Sequence, residues 1–179
     1  MSRLTVHDKE FELNIPAEVI QERIGQLAAE ISKDMEGDRP FFIVVLNGAF
    51  LFAADLFRRI PGACEIAFIR VSSYAGTSSS GHVKNVMGID KDLSGRRVVI
   101  IEDIVDSGDT AVFLMEEIRK HGPTDIRFAS LLFKPKALKQ PFKPDYVGFE
   151  VENDFLVGYG LDYDGHGRNT DSIYKLIST

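Results

Sequence analysis

"RVVIIEDIVDSGDTA", residues 97–111, decides the reading of this chain. Four apolar residues, Val98 to Ile101, run directly into Glu102 and Asp103. Asp106 and Asp109 follow, interleaved with Ser107, Gly108 and Thr110. An unbroken apolar run of this kind marks a strand covered on both faces. Carboxylates crowded at its mouth raise one another's pKa and cost stability unless something compensates. Two compensations are open. The acidic residues can occupy a solvated loop at a helix N-terminus, where the dipole favours them; against this, Glu102 and Asp103 continue the buried run without a break. Alternatively, "DSGDT" before a helix offers a phosphate successive N–H groups, a tight-turning glycine and two hydroxyls. Carboxylates beside a bare phosphate repel it, so this second reading needs Glu102 and Asp103 to face sugar hydroxyls or Mg²⁺. One loop would then grip both ends of a ribose 5-phosphate.

On either side, strands and helices alternate. Pro16 suits a first helical turn, and Ile20, Ile24, Leu27 and Ile31 share one face of a helix over 16–34. "FFIVVL" (41–46) is a strand, followed by a helix over 49–60. "EIAFIRVSSY" (65–74) is the next strand, and the Gly- and Ser-rich "AGTSSSGHVKN" leads to a short strand around 86–89. The strand over 97–102 gives way to a helix over 110–121, which Gly122-Pro123 stops. "DIRFASLLF" (125–133) is a strand ending at Lys134. After a Pro- and Lys-rich loop, 134–144, "YVGFEV" and "FLVGYG" read as an antiparallel pair. The pattern predicts an α/β fold, a mainly parallel sheet flanked by helices. Ligands in such sheets bind at the carboxyl ends of strands, and Asn47, Glu102 and Lys134 all fall there.

Composition narrows the classes. With 179 residues and 44% hydrophobic content, the chain is expected to form one domain with a real core. No apolar run approaches the roughly 20 residues of a membrane span, and "MSRLTVHDKEFEL" lacks the apolar centre of a signal peptide. Cys64 is the sole cysteine, so neither an internal disulfide nor a cysteine zinc cluster is expected. These features predict a cytoplasmic protein without a membrane partner. A net charge of −6 argues against nucleic acid, but leaves room for a small anionic substrate with a divalent cation.

"VVIIEDIVDSGDT" resembles the phosphoribosyl-pyrophosphate signature of the type I phosphoribosyltransferases. "VLNGAF" (45–50), "SSY" (72–74), "SLLFK" (130–134), "KPDYVGFEV" (143–151) and "FLVGYGLDYDGHGR" (155–168) resemble the hypoxanthine-guanine branch of that family. The resemblance covers essentially residues 10–178. It implies a small hood over the sheet from about 1–15 and 150–179, and dimers or tetramers of this chain. It implies transfer of ribosyl phosphate to N9 of a 6-oxopurine, with pyrophosphate leaving.

The resemblance also assigns residues. Glu102 and Asp103 match the acidic pair at the ribose hydroxyls and their Mg²⁺. Asp106 matches the general acid/base near purine N7. Asp106, Ser107, Gly108, Asp109 and Thr110 match the 5-phosphate loop, with Asp109 at its variable position and expected to point outward. Lys134 matches the lysine that recognises the 6-oxo group, Phe155 the aromatic that stacks on the base, and Leu156 a backbone contact to the purine edge. Asp162 matches the second Mg²⁺ ligand on the purine side of the site, and Arg168 the pyrophosphate contact. Leu46, Asn47 and Gly48 match the pyrophosphate loop, which in this family carries a non-proline cis peptide, here at Leu46-Asn47. Many relatives have lysine where Asn47 stands. Ser73 and Tyr74 match a lid over the reacting centre, for which the Gly/Ser stretch 75–81 supplies hinges.

Two other classes can be weighed. A nucleotide-sensing regulator on the same fold would be favoured by a basic surface stripe, and the sequence shows none. A phosphoacceptor receiver domain would also place an acidic pair after "VVII" and a lysine after a later strand. It needs a further strand ending in aspartate between them, and only one helix and the lysine's own strand lie there.

Overall fold

The computed structural model describes residues 3–74, 83–88 and 91–177. The expected hinge stretch 75–81 and His82 lie outside these residues. In chain order the elements are β1 (Arg3–Val6), β2 (Lys9–Ile15), α1 (Ala17–Asp34), β3 (Phe41–Leu46), α2 (Phe50–Phe57), β4 (Glu65–Tyr74) and β5 (Val83–Met87). They continue with β6 (Arg97–Val105), α3 (Asp109–Arg119), β7 (Asp125–Phe133), β8 (Tyr146–Glu150), β9 (Leu156–Val157) and β10 (Ile173–Leu176).

The main sheet has six strands in the order β5-β4-β3-β6-β7-β8. All neighbours run parallel except β5, which pairs antiparallel with β4 at the edge. The apolar runs are continuous because both faces are covered. On β3, Phe42 and Val44 pack with Ile20, Ile24, Leu27 and Phe52 of α1 and α2. Phe41, Ile43 and Val45 pack on the other face with Ala111, Leu114 and Ile118 of α3. Burial of both rows at once drives the layering.

A second sheet, antiparallel in the order β1-β2-β10-β9, joins the two ends of the chain. This corrects one sequence expectation. Residues 146–151 and 155–160 do not pair with each other: β8 lies parallel to β7 in the main sheet, and β9 pairs with β10 in the second. The polar turn Glu152-Asn153-Asp154 between them carries the chain from one sheet to the other, and short apolar runs contain no information about which partner they will find. Strand β6 also runs three residues beyond its expected end. Among the described residues no helix is long and apolar enough to cross a membrane.

Polar contacts tie the segment after β9 to helices α1 and α2. Tyr159 is buried, and its hydroxyl donates to Asp55 Oδ2 on α2 at 2.5 Å. Gln21 Nε2 of α1 donates to the same oxygen at 2.7 Å. Burial and the neighbouring carboxylate push the phenol above its ordinary pKa, so it stays a donor. Replacing Tyr159 by Phe keeps the ring but strips Asp55 of a buried donor. We expect a loss of about 1–3 kcal/mol in urea unfolding; a loss below about 0.3 kcal/mol would show that the clamp contributes nothing.

Candidate active site

Strand β3 pairs with β6 as far as Val44 opposite Ile101, whereas β6 and β7 stay paired to Val105 opposite Phe133. From β3 the chain crosses through α2 to β4 on one side; from β6 it crosses through α3 to β7 on the other. The gap between β3 and β6 is therefore the switch point where such sheets bind ligands. A cavity of about 370 Å³ opens there, and its lining includes Leu46, Asn47, Gly48, Glu102, Asp103, Thr110, Asp162 and Arg168. Beside it lies a pocket of about 100 Å³ walled by Glu102, Asp106, Ser107, Gly108, Thr110 and their neighbours. Glu102 and Thr110 line both. Residues expected from three separate stretches of sequence thus meet in one place.

The peptide bond between Leu46 and Asn47 is cis, as the resemblance implies. Two residues on, Gly48 lies against the Asp103 carboxylate. A Cβ on Gly48 would overlap the Asp103 carboxylate, and a Cβ on Gly160 would overlap the Gly48 carbonyl. Two backbones and the Asp103 carboxylate come together here at glycine spacing. Gly160 also has φ of +101°, a conformation that other residues avoid.

Asp103 feels this crowding. Burial pushes its carboxyl up to about 6; hydrogen bonds from the backbone amides of Asp103 and Ile104 and the charge of Arg168 oppose the rise, and Asp162 adds to it. Arg168 is held in advance. Its Nη2 pairs with Asp162 Oδ1 at 2.6 Å, and its Nη1 donates to the Gly160 carbonyl at 2.6 Å. The other Asp162 oxygen accepts from the Gly165 amide at 2.7 Å.

In the smaller pocket, Gly108 has φ of +85° and turns the chain into α3, whose first amides stand beside the cavity. Lys134, 8% exposed, extends its Nζ to Asp106 Oδ2 at 2.9 Å. Asp109 lines neither cavity. Its Oδ1 accepts from Gln140 Nε2 at 2.7 Å and its Oδ2 from Ser107 Oγ at 2.9 Å. One contact leads to Gln140, outside the pocket lining, and the other to Ser107 in it.

Phe155 and Leu156 also line neither cavity. Phe155 is 45% exposed at the entry to β9, edge-on to Tyr163, and Leu156 is buried in the pairing with β10. Ser73 and Tyr74 end β4, opposite Lys84 and Val83 of β5. Gly160, Tyr159, Asp55 and Gln140 were not picked out by sequence. A positive-φ pattern such as "GYG" is a usable signal for the first; the others are visible only once the chain is folded.

Comparisons with known proteins agree with this geometry. A family model described as phosphoribosyl transferase domain matches residues 16–164. The hypoxanthine-guanine phosphoribosyltransferase of Bacillus subtilis is 44% identical over 171 residues, covering 95% of this chain and 94% of that protein. The protein of that name from Mycobacterium tuberculosis is 43% identical over 169 residues, covering 90% of this chain and 84% of its own. A crystal structure of a hypoxanthine-guanine phosphoribosyltransferase from Bacillus anthracis superposes with a TM-score of 0.84 at 37% identity, covering 93% and 99% of the two chains.

The Asp103 shift has a sign that can be measured. Below about pH 4 the carboxyl is protonated in the folded chain at no cost. As pH rises through about 6 the folded state gives up that proton and loses stability relative to the unfolded chain. With divalent cations chelated, Asp103→Asn should match the parent near about pH 4 and exceed its unfolding free energy by on the order of 2 kcal/mol at about pH 7.5. Equal stabilities at both pH values would overturn the assignment.

Proposed function

The chain belongs to the phosphoribosyl transferase domain family, and from that membership we propose the function its geometry supports best, that of a purine-salvage enzyme. It transfers the 5-phosphoribosyl group of phosphoribosyl pyrophosphate to N9 of hypoxanthine or guanine, giving the nucleoside monophosphate and pyrophosphate. Identity of 44% to the Bacillus subtilis hypoxanthine-guanine phosphoribosyltransferase, across nearly the whole of both chains, carries this reading. No observation favours a non-catalytic sensor on the same fold.

The two adjoining cavities support a division of labour. The pocket of Ser107 to Thr110 offers amides at the start of α3 to the 5-phosphate. In the larger cavity, Arg168 and the Leu46–Gly48 turn face the pyrophosphate, and the guanidinium fork suits phosphate oxygens. Glu102 and Asp103 lie between these ends, where the ribose hydroxyls would sit. The donors Glu102, Asp103 and Asp162 present carboxylate oxygens, a set that fits Mg²⁺. Mg²⁺ takes few protein carboxylates and keeps water and substrate phosphates as its other ligands. When bound, Mg²⁺ offsets charge on the leaving pyrophosphate.

As the purine N9 attacks C1′, the bond from C1′ to the pyrophosphate oxygen breaks and the purine must shed a proton. On this reading Asp106 receives it at N7. Lys134 carries a donor-only ammonium, which suits a 6-oxo group and not a 6-amino group. Phe155 supplies an exposed ring for stacking, with the Leu156 backbone beside it. Closure of Ser73 and Tyr74 would keep water from the cationic sugar carbon. The proposal further includes action as one catalytic domain, self-association into dimers or tetramers, and a cytoplasmic location.

Purified protein with Mg²⁺ should turn over phosphoribosyl pyrophosphate with each base, and chelation should stop it. No turnover with either base sinks the proposal. Asp106→Asn should lower kcat by roughly 10²–10⁴-fold; a loss under about threefold removes the proton-transfer role.

A further inference from the structure

Five consecutive residues, from Val105 at the end of β6 to Asp109 in the phosphate loop, are held by the segment that follows β7. Lys134 N donates to the Val105 carbonyl at 2.9 Å, and Lys134 Nζ reaches Asp106 at 2.9 Å. Lys139 N donates to the Ser107 carbonyl at 2.9 Å. The side chains of Leu138 and Gln140 close over Gly108, and Gln140 Nε2 donates to Asp109 at 2.7 Å. The contacts begin at Lys134 with Val105 and Asp106 and end at Gln140 with Asp109. The loop is therefore not free to adopt its own shape; 134–140 imposes it.

Asp109 is the informative member. It stands one residue from the turn, in the first position of α3, where its charge opposes a phosphate dianion. A carboxylate can only accept, so Gln140 must present its amide NH₂ to it. That bond ties one Asp109 oxygen to a side chain outside the pocket lining. Ser107 Oγ now spends its hydrogen on Asp109 Oδ2. When a phosphate arrives, the hydroxyl can turn to it only if another donor keeps the aspartate in place. Gln140 is that donor.

We infer that Gln140 is a positioning residue for the 5-phosphate site: through Asp109 it holds a carboxylate out of the pocket and fixes the loop that binds phosphate. The inference rests on the proposed reaction for its substrate, and on the contacts alone for its mechanism. Asp109 on this account is an anchor and not a ligand.

The test exploits the direction of the hydrogen bond. Gln140→Glu sets two carboxylates face to face. Adding Asp109→Asn to it restores a donor–acceptor pair with the polarity reversed. For Gln140→Glu we expect at least about a fivefold rise in KM for phosphoribosyl pyrophosphate and in Kd for ribose 5-phosphate. The KM for hypoxanthine should stay within about twofold, and the double variant should recover both affected constants to within about twofold. A general loss of folding would instead move all three constants and the melting temperature together. Unchanged constants in Gln140→Glu, equal shifts for purine and phosphate ligands, or no recovery in the double variant would each overturn the inference. A parent that binds ribose 5-phosphate but turns over neither base would sink the proposed reaction, and the effect of Gln140→Glu on that binding would still decide for or against the brace. A parent that does not bind ribose 5-phosphate overturns the brace as well.

Discussion

The carboxylate of Asp103 lies half-buried against the backbone of Gly48, and the arrangement of the site depends on that contact. A charged group out of water is costly unless hydrogen bonds and opposite charge surround it. Here backbone amides and Arg168 supply both, and the residual cost appears as a carboxyl pushed up to about 6. The contact exists because β3 leaves β6 at Ile101 and turns at Leu46 while β6 runs on. Were residue 48 anything but glycine, the Asp103 carboxylate could not keep this place. The gap between β3 and β6 is the larger cavity.

The second sheet matters for the same reason. It is a modest structure of four short strands, and its loop after β9 delivers Gly160, Asp162 and Arg168 to the opposite wall. Gly160 seats on the Gly48 carbonyl, while Tyr159, its neighbour, is fixed to α1 and α2 through Gln21 and Asp55. Helix α2 begins directly after the Gly48 turn. One helix is thus tied to both walls of the cavity. The Asp162–Arg168 pair then orients two side chains toward a space that both sheets enclose, with little rotamer freedom left to lose on binding.

Much of this was legible in the chain itself, because it follows from local rules. Continuous apolar runs bounded by turns gave β3, β6 and β7 their place in a parallel sheet, and the spacing of Ile20, Ile24, Leu27 and Ile31 gave α1 its buried face. The phosphate loop was readable because a glycine, hydroxyls and a following helix occur within a few residues. What local rules could not provide was partnership. Nothing in "YVGFEV" or "FLVGYG" states that one joins β7 and the other β10. Likewise, Asp109 reads as a spare charge until the fold brings Gln140 to it across 31 positions. The cis bond at Leu46-Asn47 came from resemblance, not from any rule of spacing.

The pairing of Lys134 with Asp106 bears on how a base would be received. The lysine's stem is buried and its ammonium rests on an aspartate that is half in solvent. A lone ammonium at this depth would pay a desolvation cost with nothing to offset it. The pair avoids that cost and also fixes where both groups point. In the proposed reaction each group meets a different atom of the same purine, the 6-oxo oxygen and N7, so the base can wedge in without either group leaving its place. The same segment that carries Lys134 continues through Lys139 and Gln140 onto the phosphate loop. The separation between the base-reading cation and the phosphate-reading amides is therefore set by two segments laid side by side and hydrogen-bonded along their length. A nucleotide has a fixed distance between base and phosphate in any one conformer, and a site built this way selects for it by rigidity instead of by added contacts.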